Sequence, residues 1–275
     1  YGAGMSASPL PSPFLLATTW TPQGDGRYAA HLTPDWFQGR GAYGGVLGAG
    51  ILRAMLHALA DPPRLPRSLT VHFCAPVLAE PALLRVSVER AGRQVTHLSA
   101  RLEQGGHVAC LASATFAVSR ESALQWDTHR MPAVPRPQEL EPVPSELLPT
   151  FARHFDYRWC VGAPPFSGAE EALLGGWVRP RVPTPLDAPL AVALLDSFPP
   201  AASSRVSGFC NLATMDYTAH FYAPLPPEGA SPEAFCLRVG RSPHAGSGYA
   251  DDLAQLWSED GRLLAQLRQM AALFA

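Results

Sequence analysis

The sequence predicts an α+β fold built from two tandem repeats, each with an antiparallel sheet wrapped round one central helix. Three observations lead to this prediction: a peptide that occurs twice, a run of strand signals after each copy, and one apolar helix before each copy. Residues 68–76 read SLTVHFCAP and residues 216–224 read DYTAHFYAP, so both contain Thr-x-His-Phe-x-Ala-Pro. The repeat is domain-sized, which indicates a duplicated unit and excludes a solenoid of short repeats.

The first repeat begins with a strand pair at 17–32, after a loose segment at 5–14. A helix is predicted at 43–60, because apolar residues recur there at helical spacing and two prolines follow. Gly48 and Gly50 each cost this helix about 1 kcal/mol relative to alanine, so close packing must offset them. Four alternating segments separated by short turns then predict antiparallel strands at 67–77, 84–90, 94–103 and 107–117.

The second repeat follows the same order. A proline-rich segment without periodicity, 119–150, is predicted to be the linker between an N-terminal half at 15–118 and a C-terminal half at 151–275. The second half is predicted to contain a helix at 189–198 and strands at 151–160, 176–181, 211–222, 235–241, 248–258 and 262–273. One long buried helix wrapped by antiparallel strands describes the hotdog fold, and two in one chain describe a double hotdog.

Composition and charge exclude several classes of function. The chain has 275 residues, of which 47% are apolar and 16% charged, as expected of a compact body with a large core. Its net charge of -2 gives no support for binding nucleic acid. All 21 basic residues are arginine, which excludes a lysine Schiff base.

The cysteines and the apolar runs indicate a protein without metal, disulfide framework or membrane span. Five cysteines are scattered along the chain without a Cys-x-x-Cys pair, which favours reduced thiols over structural zinc or a disulfide framework. No apolar run approaches the roughly 20 residues of a membrane helix, and no signal peptide is evident. We therefore expect a cytoplasmic protein that uses neither a metal nor a redox cofactor.

Three segments carry a resemblance to a known family. They are WSEDGRLLAQLRQ at 257–269, ATMDYT with FYAP at 213–224, and the pair Gly44-Gly45 at the start of the first helix. With them, the chain resembles the acyl-CoA thioesterase II type, the double-hotdog thioesterases of bacteria and peroxisomes. The resemblance covers nearly the whole chain after residue 15.

The resemblance implies hydrolysis of a fatty acyl-CoA by an activated water molecule. The family uses an Asp, a Ser or Thr, and a Gln to hold that water, and the matching positions here are Asp216, Ser242 and Gln269. At Ser242 the chain departs from the family pattern, because Pro243 follows where small polar residues are usual. Ser247 is a further candidate for the hydroxyl. The resemblance also implies a homo-oligomer.

Gly44, Gly45 and Tyr43 are the candidate substrate-binding residues, since a thioester carbonyl could lie against backbone N–H groups at a helix start. Arg40, Arg238 and Arg241 could meet coenzyme A phosphates, although solvated surface is the default for each. Asp196 is interpreted as an exposed helix end rather than a polar site residue, because an unpaired buried carboxylate is costly.

Two other functions stay open at this point. One is a non-catalytic acyl-CoA or acyl-thioester binding protein with a degenerate site, which the departure after Ser242 favours. The other is a hotdog hydratase or dehydratase, which needs a His with an acidic partner near the central helix. The start of the first helix offers Tyr43 instead, which weighs against this second function. Acyl chain length is not readable from the sequence.

Overall fold

The computed structural model describes residues 11–274. In this range the chain forms three α-helices: α1 (Pro13–Thr18), α2 (Gly44–Leu59) and α3 (Ala188–Leu195). The strands are β1 (Thr21–Gly24), β2 (Arg27–Ala30), β3 (Phe37–Gln38), β4 (Gly41–Ala42), β5 (Arg64–Phe73), β6 (Ala82–Ala91), β7 (Val95–Gln104), β8 (His107–Val118), β9 (Phe155–Gly162), β10 (Leu173–Pro180), β11 (Asn211–Phe221), β12 (Cys236–Arg241), β13 (Ala245–Gly246), β14 (Tyr249–Ser258) and β15 (Leu263–Phe274).

The strands of both halves join into one antiparallel sheet. Its order is β1-β2-β6-β7-β8-β5-β11-β15-β14-β12-β10-β9, with β13 paired to β14, while β3 and β4 form a separate pair. The halves meet where β5 pairs with β11, the strands that carry the two copies of the repeated peptide. Thr70 and Thr218, which are equivalent in the two copies, lie opposite each other with their Oγ1 atoms 2.9 Å apart. A pseudo-two-fold axis therefore passes through the repeated peptide.

The helices α2 and α3 lie side by side and antiparallel, each belonging to one half. The Tyr43 hydroxyl, just before α2, donates to the carbonyl of Ala193 near the end of α3 at 3.0 Å. Every residue of α3 is buried. One buried helix per half against a continuous antiparallel sheet confirms the predicted α+β arrangement of two repeats. No helix within residues 11–274 has the length and apolar character needed to cross a membrane.

The backbone N–H groups in the first turns of α2 and α3 differ in their hydrogen-bond acceptors. The carboxylate of Asp187 caps α3 by accepting from the backbone N–H of Leu190 at 2.8 Å. Asp187 also forms an ion pair with Arg53 of α2, with 2.9 Å between Nη2 and Oδ2. The N-cap of α2 is Tyr43, whose side chain makes no capping hydrogen bond. The start of α2 thus keeps backbone donors that no N-cap side chain satisfies.

Two glycines in α2 admit aromatic rings close to the helix axis. A Cβ atom at Gly48 would lie 1.7 Å from the hydroxyl oxygen of Tyr217, and one at Gly50 would lie 2.4 Å from Cζ2 of Trp20. Both rings are buried against α2. Packing of these rings offsets the helix propensity that glycine loses, as the sequence led us to expect.

The segment at 119–150 covers the outer face of the second half. It contains short 3-10 turns and neither an α-helix nor a strand. The indole nitrogen of Trp177 donates to the carbonyl of Pro135 at 2.8 Å. Met131, Val134 and Leu140 of this segment pack against a cluster made of Trp177, Phe235, Leu237, Val239, Trp257 and Leu263. The sheet of the second half is therefore covered on both faces, which explains why every residue of β12 except Arg241 is buried.

Several element boundaries from the sequence are wrong. The strand predicted at 151–160 begins only at Phe155, because Thr150–His154 forms a 3-10 helix. The predicted strand pair at 17–32 begins only at Thr21, because Pro13–Thr18 forms helix α1, whose first turn is capped by the Ser12 hydroxyl. The loose segment expected at 5–14 lies outside the described residues up to position 10, and its last residues enter this helix. The helix predicted at 189–198 ends at Leu195, since Asp196 leaves helical geometry with φ -93° and ψ 3°.

Replacement of Gly48 by alanine tests the close approach of Tyr217 to α2. We expect Gly48→Ala to lower the free energy of unfolding by about 1–2 kcal/mol, because overpacking outweighs the gain in helix propensity. Urea unfolding measures this change. In the double variant Gly48→Ala/Tyr217→Phe, the loss should be smaller than the sum of the two single losses. An unchanged or raised stability of Gly48→Ala would contradict this packing.

Candidate active site

A buried carboxyl group, Asp196, lies where the end of α3 meets the start of α2. It is the C-cap residue of α3 and is 9% exposed. A Cβ atom at Gly44 would stand 2.8 Å from Oδ2 of Asp196, and the N–H of Gly45 donates to this carboxylate. Only glycine at position 44 therefore admits the carboxyl to the first turn of α2. The prediction of an exposed helix end at Asp196 is wrong, because α3 is enclosed on all sides.

The surroundings of Asp196 shift its protonation equilibrium towards neutral pH. Burial raises the pKa of Asp196 to about 7 and is the largest cause of the shift. The guanidinium of Arg238 and the hydrogen bond from Gly45 act in the opposite direction, while the carboxylate of Asp252 adds to the rise. At neutral pH the Asp196 carboxyl is thus able both to hold and to accept a proton.

Three buried tyrosines fix the helix ends around Asp196. Besides the bond from Tyr43 to α3, the Tyr157 hydroxyl donates to the carbonyl of Ser197 at 3.0 Å, and the Tyr217 hydroxyl donates to the carbonyl of Gly44 at 3.2 Å. Burial raises the pKa of each of these three hydroxyls. They therefore remain neutral donors that hold α2 and α3 in register.

A second polar group, Gln269, lies in a chain of hydrogen bonds across the sheet. Its Oε1 accepts from the hydroxyl of Thr214 at 3.0 Å, and its Nε2 donates to Oδ2 of Asp252 at 3.0 Å. Gln269 is 2% exposed and Asp252 has no exposed surface. An amide nitrogen carries two hydrogens, so the bond to Asp252 uses one of them.

Arg238 joins this chain of hydrogen bonds to the end of α3. Its Nη2 donates to Oδ2 of Asp252 at 3.0 Å, and its Nε donates to the carbonyl of Leu195, the residue before Asp196, at 3.3 Å. Nη1 donates to the carbonyl of Leu174 in β10 at 3.2 Å. Arg238 has no exposed surface, so the default interpretation as solvated surface is wrong. Asp196 and Gln269 belong to one polar centre through this arginine.

The predicted catalytic residue Asp216 lies on the other face of the sheet from Gln269. Residues that pair across an antiparallel ladder share a face. Asp216 pairs with His72 and Met270, which are exposed, whereas Gln269 pairs with the buried Tyr217. The register of β11 against β15 shifts between Thr214 and Asp216, so Thr214 faces the core. The structure does not bring Asp216 and Gln269 together.

The other predicted site residues divide into two places. The half-buried Ser242 donates to the nearby carbonyl of His244 at 3.4 Å, and Ser247 is exposed in the same loop. Within residues 11–274, neither hydroxyl donates to Gln269 or Asp196. Tyr43, Gly44 and Gly45, predicted to bind substrate, do lie beside Asp196. Their roles in catalysis or binding stay predictions.

Sequence reasoning assigned Asp196 and Arg238 of this centre to the surface, and it did not single out Thr214 and Asp252. A signal existed for two of them. Asp252 shares a strand face with Ala250 and Ala254, and Arg238 shares one with Cys236 and Gly240, on strands predicted one after the other along the chain. Opposite charges at inward positions of adjacent strands indicate a buried pair. The inward turn of Thr214 depends on a β-bulge, for which the sequence gives no signal.

The side chains and helix end of the polar centre can accept a proton and offer hydrogen-bond donors. Within residues 11–274, no cluster of three or more His, Cys, Asp and Glu side chains is placed to hold a metal ion. The Asp196 carboxyl supplies a base near neutral pH, and the first turn of α2 supplies N–H groups together with the positive end of the helix dipole. Such a combination suits attack on a carbonyl group.

The raised pKa of Asp196 predicts a pH-dependent stability. The native state holds this proton more tightly than the unfolded chain, so stability falls as the pH rises through the window between the ordinary value of 3.8 and about 7. Asp196→Asn lacks this penalty. Its stability relative to the wild type should therefore increase across that window, by about 1 kcal/mol for each pH unit crossed.

Urea unfolding at a series of pH values measures this difference. Asp216→Asn is the matched control, because it removes a carboxylate on the opposite face of the sheet and should leave the contribution of Asp196 intact. Parallel stability curves for the wild type and Asp196→Asn would contradict the assignment.

Solved structures share the architecture over almost their whole length. A conserved protein of unknown function with a hot dog fold, from Alicyclobacillus acidocaldarius, is 26% identical, with 97% of this chain and 99% of that chain covered and a TM-score of 0.87. A putative thioesterase II from Thermobifida fusca is 24% identical, with 96% and 98% covered and a TM-score of 0.80. An acyl-CoA thioesterase II from Mycobacterium marinum is 21% identical, with 95% and 97% covered and a TM-score of 0.74. These likenesses confirm the double hotdog fold.

Two family models match consecutive parts of the chain. Residues 32–117 match the acyl-CoA thioesterase N-terminal domain, and residues 128–273 match the acyl-CoA thioesterase C-terminal domain. A search of curated proteins found no match. Since the second model alone spans more than half of the sequence, the chain belongs to the acyl-CoA thioesterase II-like family.

Proposed function

We propose that this protein hydrolyses the thioester bond of a fatty acyl-CoA, releasing the free acid and coenzyme A, with Asp196 as the general base. The observation that carries the proposal is the buried carboxyl of Asp196, with its pKa raised to about 7, beside the first turn of α2. A general base works best when its pKa lies near the working pH. Membership of the acyl-CoA thioesterase II-like family supports the choice of substrate class.

In the proposed reaction the carboxylate of Asp196 takes a proton from a water molecule. The resulting hydroxide attacks the thioester carbonyl carbon, and the carbonyl oxygen gains the negative charge of a tetrahedral intermediate. When this intermediate collapses, the C–S bond breaks. The proton held by Asp196 then passes to the sulfur of coenzyme A, which restores the carboxylate.

The start of α2 is suited to stabilise the oxyanion. The first N–H groups of a helix have no intrahelical acceptor, and the helix dipole favours negative charge there. Because Gly44 and Gly45 have no Cβ, the carboxyl of Asp196 and the ring of Tyr43 come close to this turn, and the carbonyl oxygen is proposed to bind beside them. A typical oxyanion-hole donor contributes about 3–4 kcal/mol to the stabilisation of a transition state. Tyr43, with 1% exposure, closes the turn on its other side.

Gln269 and Thr214 are proposed to orient the attacking water or the carbonyl group. The amide of Gln269 has one hydrogen directed to Asp252 and a second one to offer. Thr214 provides the hydroxyl that the family resemblance required, and it donates to Gln269 itself. In this proposal Asp196, Thr214 and Gln269 replace the predicted set Asp216, Ser242 and Gln269.

Thiol release from acyl-CoAs of graded chain length, measured on two carboxyl variants, tests the proposal. We expect the wild type to turn over and Asp196→Asn to lose at least ~100-fold in kcat, because its base is gone. The matched control Asp216→Asn carries the same chemical change on the opposite face of the sheet and should retain activity.

The opposite result, with Asp216→Asn inactive and Asp196→Asn active, would overturn the assignment of the base. A wild type that binds acyl-CoA without releasing thiol would instead be the non-catalytic binding protein considered from the sequence. Conversion of an enoyl-CoA to the hydroxyacyl-CoA would identify a hydratase.

The pH dependence of kcat/KM provides a further prediction. Because Asp196 must be ionised to accept a proton, and its pKa is raised to about 7, kcat/KM should rise with pH through about 7 and then level off. Measurement of kcat/KM at a series of pH values across the neutral range, with an acyl-CoA that saturates the enzyme, checks this profile. A profile that is flat through neutral pH would count against Asp196 as the base.

A further inference from the structure

We propose that the buried ion pair between Arg238 and Asp252 is a positioning device for the hydrolytic centre. The pair fixes the amide of Gln269 in one orientation and holds the end of α3 that carries Asp196. Neither Arg238 nor Asp252 touches the reacting atoms in this proposal, so both are positioning residues. The inference rests on the proposed thioester hydrolysis, and its test includes a measurement that does not depend on turnover.

Asp252 determines which way the Gln269 amide points. Its Oδ1 accepts from the N–H of Ala201 at 2.7 Å, while its Oδ2 accepts from Arg238 and from Nε2 of Gln269, each at 3.0 Å. An ionised carboxylate only accepts hydrogen bonds, so it must face the nitrogen of the amide. The oxygen of Gln269 then faces Thr214, which donates to it. An uncharged amide at 252 could pair with either end of Gln269.

Arg238 holds the end of α3 to the sheet. The last carbonyls of a helix have no intrahelical donor, and the carbonyl of Leu195 accepts from Nε of Arg238 at 3.3 Å. Nη1 donates to Leu174 in β10 at 3.2 Å, and Nη2 donates to Asp252. The guanidinium is a rigid planar fork. Its three nitrogens thus set the position of Leu195, and with it Asp196, relative to Gln269.

Stability alone is a poor reason for this pair. Both side chains have no exposed surface, and a buried ion pair is often no more stabilising than apolar residues of similar volume. The pair also constrains the strand around it, because a Cβ atom at Gly240 would lie 1.9 Å from Nη1 of Arg238. Glycine inside a strand weakens it. Both destabilising features, the buried ion pair and the strand glycine, occur where Asp196 and Gln269 would have to be aligned for catalysis.

The pair also balances the charge that Asp196 faces. The titratable groups around Asp196 are Tyr43 before α2, Tyr157 in β9, Tyr217 in β11, Arg238 in β12 and Asp252 in β14. The three tyrosines are neutral, whereas Arg238 lowers and Asp252 raises the pKa of Asp196. Removal of the negative partner alone leaves the positive charge, which should move the titration of Asp196 to lower pH.

The experiment compares Asp252→Asn with Asp251→Asn. Asp251 pairs with Arg268, at 3.0 Å, one position away on the opposite face of the same two strands, so it is a matched control. We expect Asp252→Asn to lower kcat roughly 10- to 100-fold through misplacement of Gln269, with KM little changed and the acid limb of the pH profile moved to lower pH. Asp251→Asn should leave all three quantities near the wild-type values.

A paired substitution separates positioning from folding. Arg238→Met/Asp252→Asn removes both charges, so no buried charge is left unpaired and the urea midpoint should recover relative to Asp252→Asn. Its kcat should nevertheless stay low, because Gln269 is no longer fixed. Return of kcat to the wild-type value in this variant would overturn the proposal, since charge balance alone would then explain the pair.

Carbon-13 NMR of labelled aspartate carboxyls follows the titration of Asp196 without turnover, with Asp196→Asn to assign its signal. The midpoint should move to lower pH in Asp252→Asn and not in Asp251→Asn. Equal midpoints in the wild type and Asp252→Asn, or equal shifts in both variants, would overturn the inference. Absence of thiol release in the wild type would reject the proposed hydrolysis, while the NMR titration would still show whether Asp252 sets the charge that Asp196 faces.

Discussion

The pairing of β5 with β11 is the constraint on which the rest of the molecule depends. These strands carry the same peptide, and Thr70 meets its counterpart Thr218 across the ladder. Because the two strands run antiparallel, the helices of the two halves must also run antiparallel. The start of α2 then meets the end of α3, and the carboxyl of Asp196 is delivered to a helix N-terminus. Neither half contains this arrangement by itself.

Much of the fold could be predicted from the sequence because it rests on local patterns. The alternation in the strands, the helical spacing before Ala60 and the repeated peptide each report on a neighbourhood of a few residues. The segment at 119–150 was predicted as a linker from its prolines, but its apolar side chains cover the second sheet. Contacts between residues so far apart in the sequence produce no periodic pattern, so neither periodicity nor composition could predict them.

The candidate site was harder to predict, because a residue belongs to it only if it lies on the inner face of a strand or at a buried end of a helix. One β-bulge turns Thr214 inward and leaves Asp216 outward, and no local rule predicts where a bulge falls. Asp196 follows a helix that is apolar on every side, so the end of that helix is as enclosed as its middle. Gln269 was identified because the sequence of its own strand resembles the family pattern. The contact between Gln269 and Asp252 depends on how two strands pair, which the sequence of one strand does not show.

The unequal starts of the two helices have a consequence for how a duplicated chain can change. In α3 the first turn is capped by Asp187, which is paired with Arg53. In α2 the N-cap residue Tyr43 makes no capping bond, and the carboxylate of Asp196 accepts from the N–H of Gly45 instead. A dimer of identical repeats would have to keep both ends alike. Fusion into one chain frees the two helix starts to diverge, so substitutions at the start of α3 bear on stability while those at the start of α2 bear on the proposed hydrolysis.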